Sequence, residues 1–225
     1  MNFFLWRTLN EYVGQNTMIL NKSQKGIAII GDVHGSHYEY LDIISNYEYS
    51  VQIGDFGFDY DVLQGVDPKR HKIIGGNHDN YDIIQDVPHY LGDYGNCELN
   101  NVKFFFYRGA NSIDKHLRTP HVDWWEQEEN SIESYVEAQE LYLKTKPNIV
   151  LTHCCPSFIK YDFINKEYLD QIRGNRTDWA LEELYNDHHP DLWVFGHYHC
   201  TKSIKKYNTT FTCVDILSVL EIGGS

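Results

Sequence analysis

The sequence predicts a layered α/β domain, and three observations carry that expectation. Short apolar runs rich in branched residues recur at 27–30, 51–53, 73–74, 148–152 and 192–195, which is how buried strands read. Each run ends in a polar turn containing Asp, Asn or His, and segments with helical spacing follow several of them. A later change to paired runs around Asn100-Asn101 adds antiparallel strands to the alternating pattern.

Taken in order, residues 1–24 form an N-terminal extension, with Leu5, Leu9 and Tyr12 spaced for a short helix and Met18 to Leu20 for a short strand. Ile27 to Ile30 then runs into Gly31-Asp32-Val33-His34-Gly35. Ser36 and Glu39 have the spacing of a capping box, ahead of Tyr40, Leu41 and Ile44 on one helix face. Val51 to Ile53 ends in Gly54-Asp55-Phe56-Gly57, and Ile73-Ile74 in Gly75-Gly76-Asn77-His78-Asp79, with a helix expected from near Asn80.

Beyond the hairpin, Ser131 caps a helix whose inner side is expected to carry Ile132, Tyr135, Val136, Tyr142 and Leu143, closed by Pro147. The strand from Asn148 to Thr152 ends at His153. A helix from Asp178 to Asn186 turns Ala180, Leu181, Leu184 and Tyr185 inward, and Leu192 to Phe195 ends in Gly196-His197-Tyr198-His199. A hairpin, Lys202 to Tyr207 with Thr210 to Ile216, and a strand from Ser218 to Ile222 close the chain. Without repeats or a linker, residues 1–225 read as one domain, long enough to bury a substantial core.

The formal charge of −13 argues against non-specific grip on long nucleic acid or an anionic membrane, which needs a basic face. An aromatic content of 15% indicates a packed chain rather than a disordered one. Phe3-Phe4-Leu5-Trp6 is too short for a signal segment or a membrane span, and the five cysteines form no CxxC pair. Reduced thiols and a cytoplasmic location, host cytoplasm if the source is viral, are the expectation.

Five strands end in groups able to bind a metal: Asp32 and His34, Asp55, Asn77 beside His78, His153, and His197 with His199. In extended backbone alternate side chains share a side, so the i, i+2 pairs Asp32/His34 and His197/His199 can each converge on one point. Sites in α/β sheets form beyond the carboxyl ends of strands. Nitrogen and oxygen ligands without thiolate suit manganese first, then iron, zinc, nickel or cobalt. Seven candidate ligands exceed one four-coordinate ion and fit two, which at roughly 3.5–4 Å apart form a clamp for phosphoryl displacement.

The motifs GDVHG, GDFG, GGNHD, LTH and GHYH, in that order from Ile27 to His199, resemble those of the calcineurin-like metallophosphoesterases. The stretches RGANSIDKHLR and WWEQEE resemble small bacterial and phage members. This resemblance implies a four-layer α-β-β-α sandwich with the metals above the strand ends. It implies that Asp32, His34, Asp55 and His199 hold one divalent ion and that Asp55, Asn77, His153 and His197 hold a second, with Asp55 bridging. His78 would then donate a hydrogen bond or proton to the ester, while a hydroxide bridging the metals attacks phosphorus directly.

Phosphoprotein phosphatases of that superfamily usually carry GDxxDRG. Gly54 to Asp59 lacks the following Arg, and Asp59 is displaced by one residue, which disfavours a protein phosphatase and leaves the partner of His78 unassigned. Arg108 and Arg118 are candidate substrate contacts, because a guanidinium can grip phosphate bidentately. The expected substrate is a small phosphate ester or nucleotide. A nuclease acting on ends, a phosphoprotein phosphatase and a non-catalytic metal-bound module are the alternatives. Cys154, Cys155 and Cys200 are expected as small residues packed behind the ligand histidines, and Trp124 and Trp125 as packing.

Overall fold

The computed structural model describes residues 26–164 and 174–223, so the helix and strand expected within 1–24 lie outside the described residues. The strands are β1 (Ile27–Ile30), β2 (Ser50–Ile53), β3 (His71–Ile74), β4 (Tyr94–Leu99), β5 (Val102–Tyr107), β6 (Ile149–Thr152), β7 (Leu192–Phe195), β8 (Lys202–Lys206), β9 (Thr209–Cys213) and β10 (Val219–Ile222). The helices are α1 (His37–Ser45), α2 (Ile132–Thr145), the single turn α3 (Ser157–Lys160) and α4 (Arg176–Asp187).

Two sheets form, in the orders β10-β1-β2-β3 and β4-β5-β6-β7-β9-β8. Strands β1 to β3 run parallel, as do β5, β6, β7 and β9, while β10, β4 and β8 are antiparallel at the edges. The period-two alternation of side chains explains why the sheets stack. In β1, Ile27 and Ile29 face the space between the sheets, while Ala28 and Ile30 face Tyr40 and Ile44 of α1. In β5, Phe104 and Phe106 meet Ile27 and Ile29 between the sheets, while Phe105 and Tyr107 meet Tyr135, Ala138 and Tyr142 of α2. Three apolar cores therefore separate four layers, α-β-β-α, as expected. Both faces of the central strands are covered, which is why they read as continuous apolar runs rather than alternating ones.

Some local expectations change. Ser36 precedes α1 without a side-chain cap, its backbone being far from the extended conformation that aims a hydroxyl at the helix. After Asp79 the chain makes turns and a 3-10 turn at Ile84–Asp86 in place of a helix. Ser131 does cap α2, accepting from Ser134 N at 3.1 Å, but Ile132, Val136 and Leu143 are exposed and Tyr135, Ala138 and Tyr142 face inward. The apolar residues of α2 span too wide an arc to share one face. The expected inner face of α4 is buried as read, and Trp125 is buried with its indole N–H on Asp82. No helix among the described residues is long and apolar enough to cross a membrane.

Candidate metal centre

The loops after β1, β2, β3, β6 and β7 meet at one end of the sandwich, and their backbones are tied together before any side chain contributes. Val33 N and His34 N both donate to the Asp55 carbonyl, at 3.0 and 2.8 Å, and Gly35 N donates to the Phe56 carbonyl. Across the large sheet, Gly196 N donates to the His153 carbonyl at 3.0 Å. His34, Asp55, His197 and His199 all have positive φ, a left-handed conformation uncommon outside glycine and several-fold enriched in Asn, Asp and His. Such backbone clusters at functional sites, where the surroundings hold it in place.

Asp32 and Asp55 are buried at the centre. Asp32 Oδ2 lies 3.0 Å from His199 Nε2 and 3.6 Å from His34 Nε2, and its two oxygens accept from His197 N at 3.1 and 3.2 Å. Asp55 Oδ1 lies 3.2 Å from His153 Nε2 and accepts from His78 N at 2.7 Å, while Oδ2 lies 3.7 Å from His34 Nε2. His153 donates from Nδ1 to the Ile53 carbonyl at 2.9 Å, which turns Nε2 toward Asp55. Asn77 Oδ1 lies 3.2 Å from that Nε2.

Two groups of candidate ligands result. Asp32, His34, Asp55 and His199 bring one ligand atom each within 4.8 Å of one another, and so do Asp55, His153 and His197. Asp55 belongs to both, and Asn77 adjoins the second. Three glycines make room for this packing. A Cβ would stand 2.3 Å from Asp32 Oδ1 at Gly196, 2.3 Å from Asp55 Oδ1 at Gly76 and 2.3 Å from His153 Nδ1 at Gly54. This mixed oxygen and imidazole set, cradled by glycines, fits divalent cations.

The charges are arranged accordingly. Burial works against ionisation of Asp32, but hydrogen bonds to His199 and His34 outweigh it and hold the carboxyl at about 2. Asp55 is likewise lowered, with His153 outweighing burial. Burial opposes charge on His153 as well, yet Asp55 outweighs it and raises the imidazole to about 9. Burial lowers His197 to about 3, beside His153.

A cavity of about 480 Å³ opens onto this cluster, lined among others by Asp55, Asn77, His78, Ser112, Arg118 and His199. Arg118 Nη1 lies 3.0 Å from His78 Nδ1, and the same guanidinium is gripped by Asp114 at 2.7 and 2.8 Å. Burial pushes the His78 imidazole down and Arg118 adds to this against Asp55. The neighbour of His78 is thus Arg118 held by Asp114, whereas exposed Asp59 accepts from Asp61 N within its own turn. Arg108 is placed differently from the expectation of a substrate contact. It is buried, bonded to Asp93 at 2.6 Å and to the Gln127 carbonyl, with its guanidinium 4.5 Å over the Tyr81 ring. Arg108 is not among the residues that line the cavity.

Other contributors escaped sequence reasoning. Asp79 is buried and accepts from four backbone N–H groups and the Tyr60 hydroxyl. Ser112, which bonds Asn77 and Glu128, and Glu128 itself lie inside the two stretches in which Arg108, Arg118, Trp124 and Trp125 had drawn notice. Behind His197, the Tyr198 hydroxyl meets Cys154 Sγ at 3.2 Å and Cys155 Sγ at 3.5 Å; both thiols are buried as expected, while Cys200 is half-buried.

A two-sheet sandwich with an Asp/His cluster beyond its parallel strand ends defines a metallophosphoesterase-like protein. The sequence model of the calcineurin-like phosphoesterase family matches residues 26–201, and the chain belongs to that family. Among solved structures, it is similar to the phosphopantetheinyl hydrolase of Mycobacterium tuberculosis, with a TM-score of 0.56 and 12% identity over 89% of this chain and 96% of that one. It is also similar to a dimetal phosphatase of Danio rerio, with a TM-score of 0.50 and 11% identity over 85% of this chain and 87% of that one. At such identities the likeness concerns the fold. No curated protein sequence matches the chain.

Proposed function

We propose that this protein hydrolyses a small phosphate ester or nucleotide with the help of two divalent cations, manganese first among them. The observation that carries the reading is the double membership of Asp55: one buried carboxylate belongs to both ligand groups, as a bridge between two ions must. In this reading Asp32, His34, Asp55 and His199 hold one cation and Asp55, Asn77, His153 and His197 the other. When bound, such a pair supplies Lewis-acid charge for the phosphate oxygens and lowers the pKa of a coordinated water. The chain's own residues do the rest. Arg118 lines the cavity and brings its positive charge to a phosphate entering there, with Asp114 keeping it in place. His78, neutral beside Arg118, directs an N–H hydrogen bond toward the leaving oxygen of the ester, which takes its proton from water.

A small substrate is favoured because Arg118 is the cavity's one arginine among its described lining residues, and Asp114 offsets its charge. A long polyanion would meet an acidic protein. Nuclease action on ends is the second reading, and salt separates the two, since nucleic-acid binding weakens steeply as salt rises. The experiment is manganese-dependent turnover of paired chromogenic monoester and diester substrates, with the Asp55→Asn protein as blank. Diester preference directs attention to cyclic nucleotides and nucleic-acid ends, monoester preference to phosphometabolites. Manganese binding without turnover of either substrate, at any salt concentration, overturns the enzymatic reading in favour of a binding module.

A further inference from the structure

An asparagine can present either end of its amide to a cation, and only the carbonyl oxygen is a ligand. Something must therefore orient Asn77. Its Nδ2 donates to Ser112 Oγ at 3.1 Å. Ser112 Oγ in turn lies 2.6 Å from Glu128 Oε2, and Ser112 N donates to Glu128 Oε1 at 2.8 Å. All three residues are at most 4% exposed.

As a carboxylate Glu128 only accepts, so the Ser112 hydroxyl must spend its hydrogen on Oε2. The hydroxyl then has only lone pairs left for Asn77, which must offer its NH₂. The Asn77 oxygen is left to face His153 and the second ligand group.

Glu128 is itself fixed by backbone. Ala110 N donates to its carbonyl at 3.1 Å, its N–H donates to the Trp125 carbonyl at 3.1 Å, and Arg108 binds the carbonyl of Gln127 beside it.

We infer that Glu128 and Ser112 are positioning residues whose two-bond relay turns the carbonyl oxygen of Asn77, rather than its NH₂, toward the second cation position. The inference rests on the proposed pair of cations. It requires an acceptor-only group at 128, not merely a residue of that size. Glutamine tests this with its shape nearly unchanged. Ser112 presents two donors, N–H and Oγ–H, to the two carboxylate oxygens. A glutamine at 128 satisfies the N–H with its oxygen and must aim its NH₂ at Oγ. The hydroxyl hydrogen then swings to Asn77, which rotates its amide and withdraws its oxygen from the cation.

The experiment is calorimetric titration of the full chain with manganese alone, paired with metal analysis and the EPR signal of exchange-coupled manganese. Wild type is expected to bind two ions. Glu128→Gln is expected to hold the first unchanged and to bind the second at least about tenfold more weakly, losing the coupled signal. Adding Asn77→Asp to Glu128→Gln restores an oxygen facing the cation whichever way Ser112 donates, and with it the second ion. Ser112→Ala, which removes the relay with a smaller change, should show the same selective weakening.

Wild-type affinity for both ions in Glu128→Gln and Ser112→Ala overturns the inference alone. So does equal loss of both ions, or failure of the double variant to recover the second. A wild-type protein that binds fewer than two manganese ions overturns the dinuclear reading and this inference together.

Discussion

The carboxylate of Asp79 accepts the backbone N–H of Asp55 at 2.9 Å, so one buried acid holds the main chain of the other. Its remaining acceptor capacity takes Phe56 N, Gly57 N, Gly76 N and the Tyr60 hydroxyl, which fastens the loop after β2 to the loop after β3. Removing this acceptor strands several buried donors, each costing about 1–3 kcal/mol before water enters. Asp79→Ala is expected to lower stability by about 3 kcal/mol or more in urea unfolding. A loss below about 1 kcal/mol would show that the loops hold without it.

Asp55 carries the single charge common to both ligand groups. Asp55→Asn is expected to reduce bound manganese from two equivalents toward none and to lower turnover at least about 100-fold, more than loss of an outer contact does. Metal analysis after gel filtration decides this, and full retention of both ions contradicts the bridging role.

His78 donates its backbone N–H to Asp55, and its ring lies between Arg118 and the His34 ring, 5.3 Å away between centroids. His78→Ala leaves every proposed ligand atom in place and should keep both ions while slowing turnover by about 10²- to 10³-fold, the range for loss of a hydrogen-bond donor to developing charge. Arg118→Ala should raise KM more than it lowers kcat. Unchanged turnover in His78→Ala removes the residue from the chemistry.

Cation uptake should depend on pH through His153. Its imidazole is raised from 6.5 to about 9, burial opposing and Asp55 prevailing, yet only the neutral ring binds a cation. In the cation-free protein this pairing adds stability fully below about 6.5, lost as pH rises through about 9. Cations must displace that proton at pH 7, so affinity should climb from pH 7 to 9 with proton release. Calorimetry in buffers of different ionisation enthalpy counts the protons; a pH-independent affinity with none released refutes the assignment.

Gly76 has an ordinary φ, but a Cβ there would meet Asp55 Oδ1 at 2.3 Å, whereas Gly35 has a φ of +79° and open space around it. Gly76→Ala should weaken manganese binding by about 10- to 100-fold. Gly35→Ala should cost about 1 kcal/mol of stability and spare binding, since its penalty is confined to the backbone. Equal effects on binding would contradict the cradle.

The candidate ligands were legible because spacing and strand ends bring them together. Asp32/His34 and His197/His199 sit at i, i+2 after buried strands, and the five strands that carry the motifs form where the apolar runs lie. What could not be read depends on contacts between distant segments. Arg108 was singled out by residue type alone, and its contacts with Asp93 and Tyr81, between β3 and β4, and with Gln127, between β5 and α2, leave no mark in the sequence. Glu128 looked like one acid among several in WWEQEE, and only burial against Ser112 distinguishes it. Ile132, Val136 and Leu143 were apolar at near-helical spacing, yet a helix packed on one side has room for a narrower stripe.

Asp32, Asp55 and Asn77 follow β1, β2 and β3 of the small sheet, while His153 follows β6 and His197 and His199 follow β7 of the large one. Between the sheets, the packing of residues such as Ile29, Val51, Phe104 and Val194 is apolar and non-directional. At the open end, the loops of the two sheets meet through carboxylates, imidazoles and the Asn77 amide. Ligands divided in this way make a bound cation a rivet through the sandwich. The native form gains about 2.7 kcal/mol for each such ion present at a hundred times its dissociation constant. In the proposed dinuclear form, metal supply is thus expected to set how long the folded chain resists proteolysis, as well as whether it works.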